Sequence, residues 1–364
     1  MKPTRRDAFK LLGLPLALTA FHHRQGMAAD ALHADKVFTI SNSTAGNELV
    51  VFAPDGNGGL ARRTSASSDG AGSGGGLGSQ GAVSLSGSGR YVFVVNAGSN
   101  TLATFLVSGL ELRLASVVDS GGTRPISVAE REGIVVVLND QGEGNIVAFR
   151  NDRGQLTQLG SRPLSASSGT AAAQVSFSAD GDTLIVTEKG THRLVTYRVG
   201  ADGSLGAPLI SRSAGLVPFG FGFDRRNRLF VSEAGAGTAS SYRLNGPVPQ
   251  LLSGPVATTQ TAPCWVAVTP NGRYFYTANT GSRSISSFRI ARDGTISLIA
   301  AQAGSVGDGS TPVDAAISAG GQRLFVLDRG NARVVVFDID PDGALTAAGS
   351  GSGLPRSVVG LAAN

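Results

Sequence analysis

The sequence predicts an all-β fold, a seven-bladed β-propeller closed by a C-terminal strand that completes the first blade. Three observations carry this expectation. One stretch spells out a four-stranded meander, its layout recurs seven times, and the two chain ends hold complementary parts of one unit.

The clearest unit is residues 261–298, TAPCWVAVTPNGRYFYTANTGSRSISSFRIARDGTISL. Residues 264–269 form an apolar run that Pro270-Asn271-Gly272 turns back. Residues 274–279 make a second strand and Thr280-Gly281-Ser282-Arg283 a second turn. A third strand follows at 284–290, a third turn at Arg292-Asp293-Gly294 and a fourth strand at 295–300. Short aromatic and β-branched runs between Gly, Asn, Asp and Pro clusters are the mark of successive hairpins. One such meander cannot bury both of its faces and needs like neighbours.

Repetition supplies them. Second strands end at Ile40-Ser41-Asn42, Val94-Val95-Asn96, Val137-Leu138-Asn139, Val186-Thr187-Glu188, Val231-Ser232-Glu233, Thr277-Ala278-Asn279 and Val326-Leu327-Asp328, in steps of between 43 and 54 residues. Asp-Gly or Asn-Gly recurs between third and fourth strands at 55–56, 202–203, 245–246, 293–294 and 342–343, supplying the positive-φ residues of tight hairpins. The long first step holds 64–81, TSASSDGAGSGGGLGSQG, whose composition predicts a flexible loop between blades. The first unit begins at 37–41, already a second strand, while 354–362, LPRSVVGLA, reads as a first strand with no unit of its own. Pairing the two closes the ring and removes its exposed edges; an open solenoid is the alternative.

The remaining features bound the function. The chain has 364 residues, 41% of them hydrophobic, enough for a sizeable all-β core. Residues 1–29 carry Thr4-Arg5-Arg6-Asp7-Ala8-Phe9-Lys10, an apolar run over 11–21 and small residues at Gly26, Ala28 and Ala29. This is the layout of an export signal, and the arginine pair resembles a twin-arginine signal. The run is too short for a membrane anchor, so none is expected after signal removal. The signal holds most of the formal charge of +5, leaving the mature protein near +1. No basic stripe points to nucleic acid. Cys264 is the one cysteine, which rules out an intramolecular disulfide. No Walker or dinucleotide glycine motif follows a strand and opens a helix, so the Gly-rich loop at 70–78 is not read as a phosphate cradle. No His/Cys cluster has zinc spacing. A calcium site built from Glu, Asn and Asp in the funnel is the one metal reading left on ligand type, and neither metal nor cofactor is expected. The mature protein is read as a monomer, residues 35–364.

With this repeat the chain resembles the seven-bladed lactonase-type propellers, the family of 6-phosphogluconolactonase-like and carboxymuconate-lactonizing-enzyme-like proteins. LGSQGAV at 77–83, GGTRPISVA at 121–129, VTEKGTHRL at 186–194, VPFGFGF at 217–223, LFVSEAGAGTASSYRL at 229–244 and APCWVAV at 262–268 resemble an exported branch of that family. The resemblance implies action on lactones. Lactonizing members are often marked by His-Pro-His-like starts to the inner strands. The equivalent starts here are Arg124-Pro125-Ile126, Val217-Pro218-Phe219, Ala262-Pro263-Cys264, Thr311-Pro312-Val313 and Leu354-Pro355-Arg356, and none contains His.

A propeller gathers first-strand starts and second-strand ends on one face, around a funnel that is the default ligand site. An inner ring is expected from Gln80, Arg124, Gln174, Phe219, Trp265, Asp314 and Arg356, contacting a small-molecule ligand. The outer ring is Asn42, Asn96, Asn139, Glu188, Glu233, Asn279 and Asp328. Asn and Asp there suit local backbone capping. Glu188 and Glu233 break the pattern in consecutive units, next to Lys189 and His192. Two carboxylates beside a cation make an acid/base arrangement; an inter-blade salt bridge is the competing reading. Trp265 either stacks on a ligand or fills the channel, and Cys264 reads as a small buried residue. His192 is the one histidine of the mature fold outside its margin, which leaves a Ser-His-Asp triad poorly supported. Two functions follow: an exported hydrolase or lyase acting on a lactone of a small carboxylated compound, or a non-catalytic propeller that binds a cell-envelope partner or small ligand on its funnel face.

Overall fold

A computed structural model describes residues 35–364; the expected export signal lies outside the described residues. Seven four-stranded antiparallel sheets form the blades. Their innermost strands are Val359–Ala363 in blade I, Val83–Leu85 in II, Thr123–Arg131 in III, Ala172–Phe177 in IV, Pro218–Phe223 in V, Pro263–Val268 in VI and Pro312–Ile317 in VII.

The three inner strands of a blade are sandwiched between neighbouring blades, so both faces must be apolar. Tyr274–Asn279 and Thr183–Glu188 are accordingly buried along their whole length. Outermost strands face solvent on one side and alternate, as Gln155–Pro163 does. Packing between blades is largely aromatic. Phe275 stacks on Phe288 at 4.5 Å and on Phe230 of the preceding blade at 5.3 Å. Each buried phenyl contributes roughly 1.5–3 kcal/mol.

The ring closes as its ends require. Val37 pairs with Ala363, Phe38 with Ala362 and Thr39 with Leu361. Asn364 Oδ1 accepts from Lys36 N at 2.5 Å, and Ser357 Oγ donates to Ser41 O at 2.6 Å. The closing strand starts at Val359, later than the expected 354. Leu354 to Ser357 instead make the approach, with Arg356 in an exposed turn.

The Gly-rich tract is a correction. Its first residues belong to the outermost strand of blade I, Leu60–Ser67. The rest, 68–82, is no slack loop: it runs across the funnel face and into the channel mouth. Gly74 N bonds Asn42 O, Gly98 N bonds Ala71 O, and Gln80 N bonds Ala173 O. Glycine is needed for the approach. A Cβ on Gly72 would lie 2.1 Å from the carbonyl carbon of Asn42, far inside contact distance. Composition alone predicts flexibility for such a tract; here its freed backbone groups find partners in several blades.

Candidate functional site

The outer ring is buried throughout. Most members tie a second-strand end to an adjoining loop, whereas Asn279 bonds Thr277, Ser284 and Ser286 of its own hairpin. Asn42 accepts from Ser73 N at 2.9 Å and donates to Gly75 O at 2.6 Å, fixing the Gly-rich tract. Asp328 accepts from Thr311 N at 2.9 Å and Ser310 Oγ at 2.8 Å.

Glu188 and Glu233 do the same work with a longer reach. Glu188 accepts from Ser165 N at 2.9 Å, from Ser165 Oγ, and from Thr191 Oγ1 at 2.5 Å. Glu233 accepts from Gly215 N at 2.7 Å, Ser240 Oγ at 2.8 Å and Thr238 Oγ1 at 2.5 Å. No shared partner joins them, and neither carboxylate bonds Lys189 or a cation of a neighbouring blade. An acid/base pair formed by the two remains an expectation, while each carboxylate braces its own blade. The physical reason is that a loop's unpaired N–H and hydroxyl groups fill the lone pairs of each carboxylate. His192 braces too: its Nδ1 accepts from Val217 N at 3.1 Å.

The inner ring meets the Gly-rich tract instead of open solvent. Arg124 Nη2 donates to Leu77 O at 3.4 Å, Lys189 Nζ to Gly78 O, and Trp265 Nε1 to Ser79 O at 2.9 Å. Three consecutive carbonyls thus meet donors from blades III, IV and VI. Gln80 follows, crossing to blade VI to bond Val266 O at 2.8 Å and Val266 N at 3.0 Å. Gly81 N then approaches Asp314 of blade VII at 3.5 Å. Residues 76–81 therefore form a plug seated on the channel mouth. Gln174 does not face it; its amide bridges blades IV and V through Phe221 N at 2.8 Å and Phe221 O at 3.1 Å. Arg356 lies in an exposed turn before the closing strand, with Ser357 bonded to Ser41 O at 2.6 Å.

Beneath the plug lies a compact set of charges. Arg124 has φ +58°, just before a bulge at Pro125, which turns its side chain onto Asp140 at 2.8 Å. Lys189 Nζ sits 4.8 Å from the centre of the Phe219 ring, which meets Trp265 edge-on at 4.9 Å. Burial pushes the Lys189 ammonium down to about 8, although Asp140 and Cys264 pull the other way. Burial raises the Asp140 carboxyl against the pull of Arg124 and Lys189. Burial also raises the Asp314 carboxyl to about 7, outweighing its bonds from Ala315, Gly81 and Leu361 N–H groups. Cys264 is buried, with its thiol pushed up to about 11 mainly by burial, as befits a packing residue.

Beside the plug a cavity of about 320 Å³ opens between blades VI, VII and I. Its walls include Leu77, Trp265, Val313 and Val359, with Thr280 and Arg329 as polar groups. Arg329 forms no ion pair among the described residues. Gly76 lets it lie against the plug, for a Cβ there would be 2.1 Å from Nη1. Asp140, Arg329 and the plug itself are site features the sequence reading missed. The Gly run was the available signal. Among the described residues no group of three or more His, Cys, Asp or Glu side chains is placed to hold a metal.

A ring of seven four-stranded blades closed by its C-terminal strand is a seven-bladed propeller. The chain belongs to the family described as "Lactonase, 7-bladed beta-propeller", whose model matches residues 45–169 and 247–359. Lys189, Phe219 and both glutamates fall between the two matched segments. Similar solved structures include a putative 6-phosphogluconolactonase from Bacteroides uniformis, with a TM-score of 0.75 and 18% identity, covering 91% of this chain and 99% of that one. A putative 6-phosphogluconolactonase from Bacteroides fragilis has a TM-score of 0.72 and 18% identity over 91% and 98%. A periplasmic gluconolactonase from Pseudomonas aeruginosa has a TM-score of 0.72 and 18% identity over 90% and 98%. At such identities the likeness is one of fold. No curated protein sequence matches the chain significantly.

Proposed function

We propose that this protein is an exported, monomeric lactonase-like enzyme that hydrolyses, or forms, a lactone of a small carboxylated compound at the funnel face. The observation that carries the reading is the convergence of Arg124, Lys189 and Trp265 on three successive carbonyl oxygens. Donors that hold backbone carbonyls are equally suited to a lactone carbonyl and to the oxyanion that forms from it. The plug withdraws to admit the ligand, and the adjoining cavity of about 320 Å³ receives its body. Arg329 holds the carboxylate. Export is supported by the signal layout and by the likeness to a periplasmic gluconolactonase.

Lys189 takes the role of base that saturation denies to Glu188 and Glu233. With its ammonium lowered to about 8, part of the population is neutral amine near pH 7. The amine accepts a proton from water as the oxygen bonds to the lactone carbonyl carbon. The tetrahedral oxyanion collapses, the ring C–O bond breaks, and the leaving alkoxide takes the proton back from Lys189. The product is the open hydroxy acid, and lactonization is the reverse.

The test is acid release from a panel of γ- and δ-lactones with and without a carboxylate. Lys189→Met should lower kcat by about 100-fold or more, and Arg329→Ala should raise KM selectively for the carboxylated lactones. Glu188→Gln should act through stability only. No turnover of any lactone by the folded protein would overturn the enzyme reading. The occupied donors favour one alternative, a non-catalytic propeller; carboxylate binding that shifts Trp265 fluorescence without turnover would establish it.

A further inference from the structure

The face opposite the funnel carries a second, independent site. There the turns of blades V and VI enclose a cavity of about 290 Å³ lined by Arg225, Arg226, Arg228, Arg273 and Arg292. This concentration stands out on a mature chain whose net charge is near +1.

The floor is rigid. Arg228 is 5% exposed and pairs with Asp224 at 2.5 Å. It also donates to Ala291 O at 2.8 Å and Arg292 O at 3.1 Å, tying the turn of blade VI to blade V. Gly294 packs on its stem, where a Cβ would lie 2.8 Å from Cδ. The rim is cationic and open. Arg225, Arg226, Arg273 and Arg292 are exposed, and none forms an ion pair among the described residues. Arg226 reaches Arg292 O at 3.4 Å, and Arg273 stacks 5.4 Å from the centre of the Tyr274 ring. Arg289 lies over the same ring at 5.5 Å. Tyr274 donates in turn to Pro341 O of blade VII at 3.0 Å, so these two guanidinium groups are held on the blade VII side of the turn and leave the cavity to the other arginines. Asp224, the lining carboxylate, is already neutralised by Arg228. Asp293, in the same turn, accepts from Thr295 N and Oγ1 at 3.0 and 2.8 Å.

We propose that this cavity binds a small polyanion bearing phosphate groups, seated on Arg225, Arg226 and Arg292. Guanidinium forks match phosphate oxygens two at a time. Three of them around so small a volume call for several negative charges on one molecule. A monocarboxylate would leave most of the rim unanswered. The site lies at the other end of the channel from Lys189, so it stands or falls apart from the lactone reading.

The test is calorimetric titration of the protein with pyrophosphate and tripolyphosphate at 50 and 200 mM NaCl. The expected result is saturable one-site binding that weakens with salt. Arg225→Ala and Arg292→Ala should each weaken it about tenfold, with melting temperatures unchanged because both side chains are exposed. Arg62→Ala, on blade I, should have no effect. Absence of saturable binding to either probe overturns the proposal. So does binding that the two rim variants leave intact.

Discussion

Asp314 gives the fold a pH dependence that can be measured. Asp314 is 1% exposed, and no cation among the described residues pairs with it. It accepts from Ala315 N at 2.8 Å and Leu361 N at 3.1 Å, so it links blade VII to the closing strand of blade I. Burial raises it from an ordinary 3.8 to about 7. Below about pH 4 both folded and unfolded chains carry the proton, and the stability it supports is complete. Between about pH 4 and about pH 7 the unfolded chain gives up the proton while the folded one keeps it. Stability therefore falls as pH rises, by about 4 kcal/mol across the window at about 1.4 kcal/mol per pH unit. Asp314→Asn removes the titration. Urea unfolding at half-unit steps from pH 4 to pH 8.5, followed by Trp265 fluorescence, gives both curves. The difference between variant and parent should grow with pH in the variant's favour and level off above about pH 7. Parallel curves would show that the carboxyl ionises normally and that its burial is relieved in solution.

Other outcomes follow from the plug and the ion pairs. Gly72→Ala drives a Cβ into the Asn42 backbone at 2.1 Å; it should cost about 1–3 kcal/mol and increase acrylamide quenching of Trp265 as the plug lifts. Asp224→Ala strands the buried Arg228 and should cost about 3–5 kcal/mol in urea unfolding. Arg62→Ala, breaking the exposed pair with Glu48 at 3.5 Å, should cost less than about 1 kcal/mol. If Lys189 is the base, kcat/KM for lactones should climb with pH and level off above about 8, because the lowered ammonium must lose its proton to act.

The blades were legible because their physics is local. Period-two apolar runs and Asp-Gly turns repeat in register, and the orphan strand at the chain end had one partner left to find. The site was legible only in outline. The repeat placed Glu188 at a second-strand end in the outer ring, but could not show that it would be buried or that Ser165 and Thr191 would fill its oxygens. Arg356 looked like a strand start because Leu354-Pro355 mimics the other starts. The strand that begins at Val359 is set by pairing with Ile40, which no local pattern reveals. The plug was hidden for the opposite reason. A tract rich in Gly has no pattern of its own, and its shape is dictated by distant donors on blades III, IV and VI.

Pairing of Val37–Ile40 with Val359–Ala363 also sets an order of events during biosynthesis. Blades II to VII can each assemble soon after they leave the ribosome, from strands adjacent in sequence. The first hairpin to be made must wait for the last strand, holding an unpaired apolar edge throughout. The chain therefore ripens from its middle outward, and whatever shields that waiting edge governs how much of it reaches the finished ring.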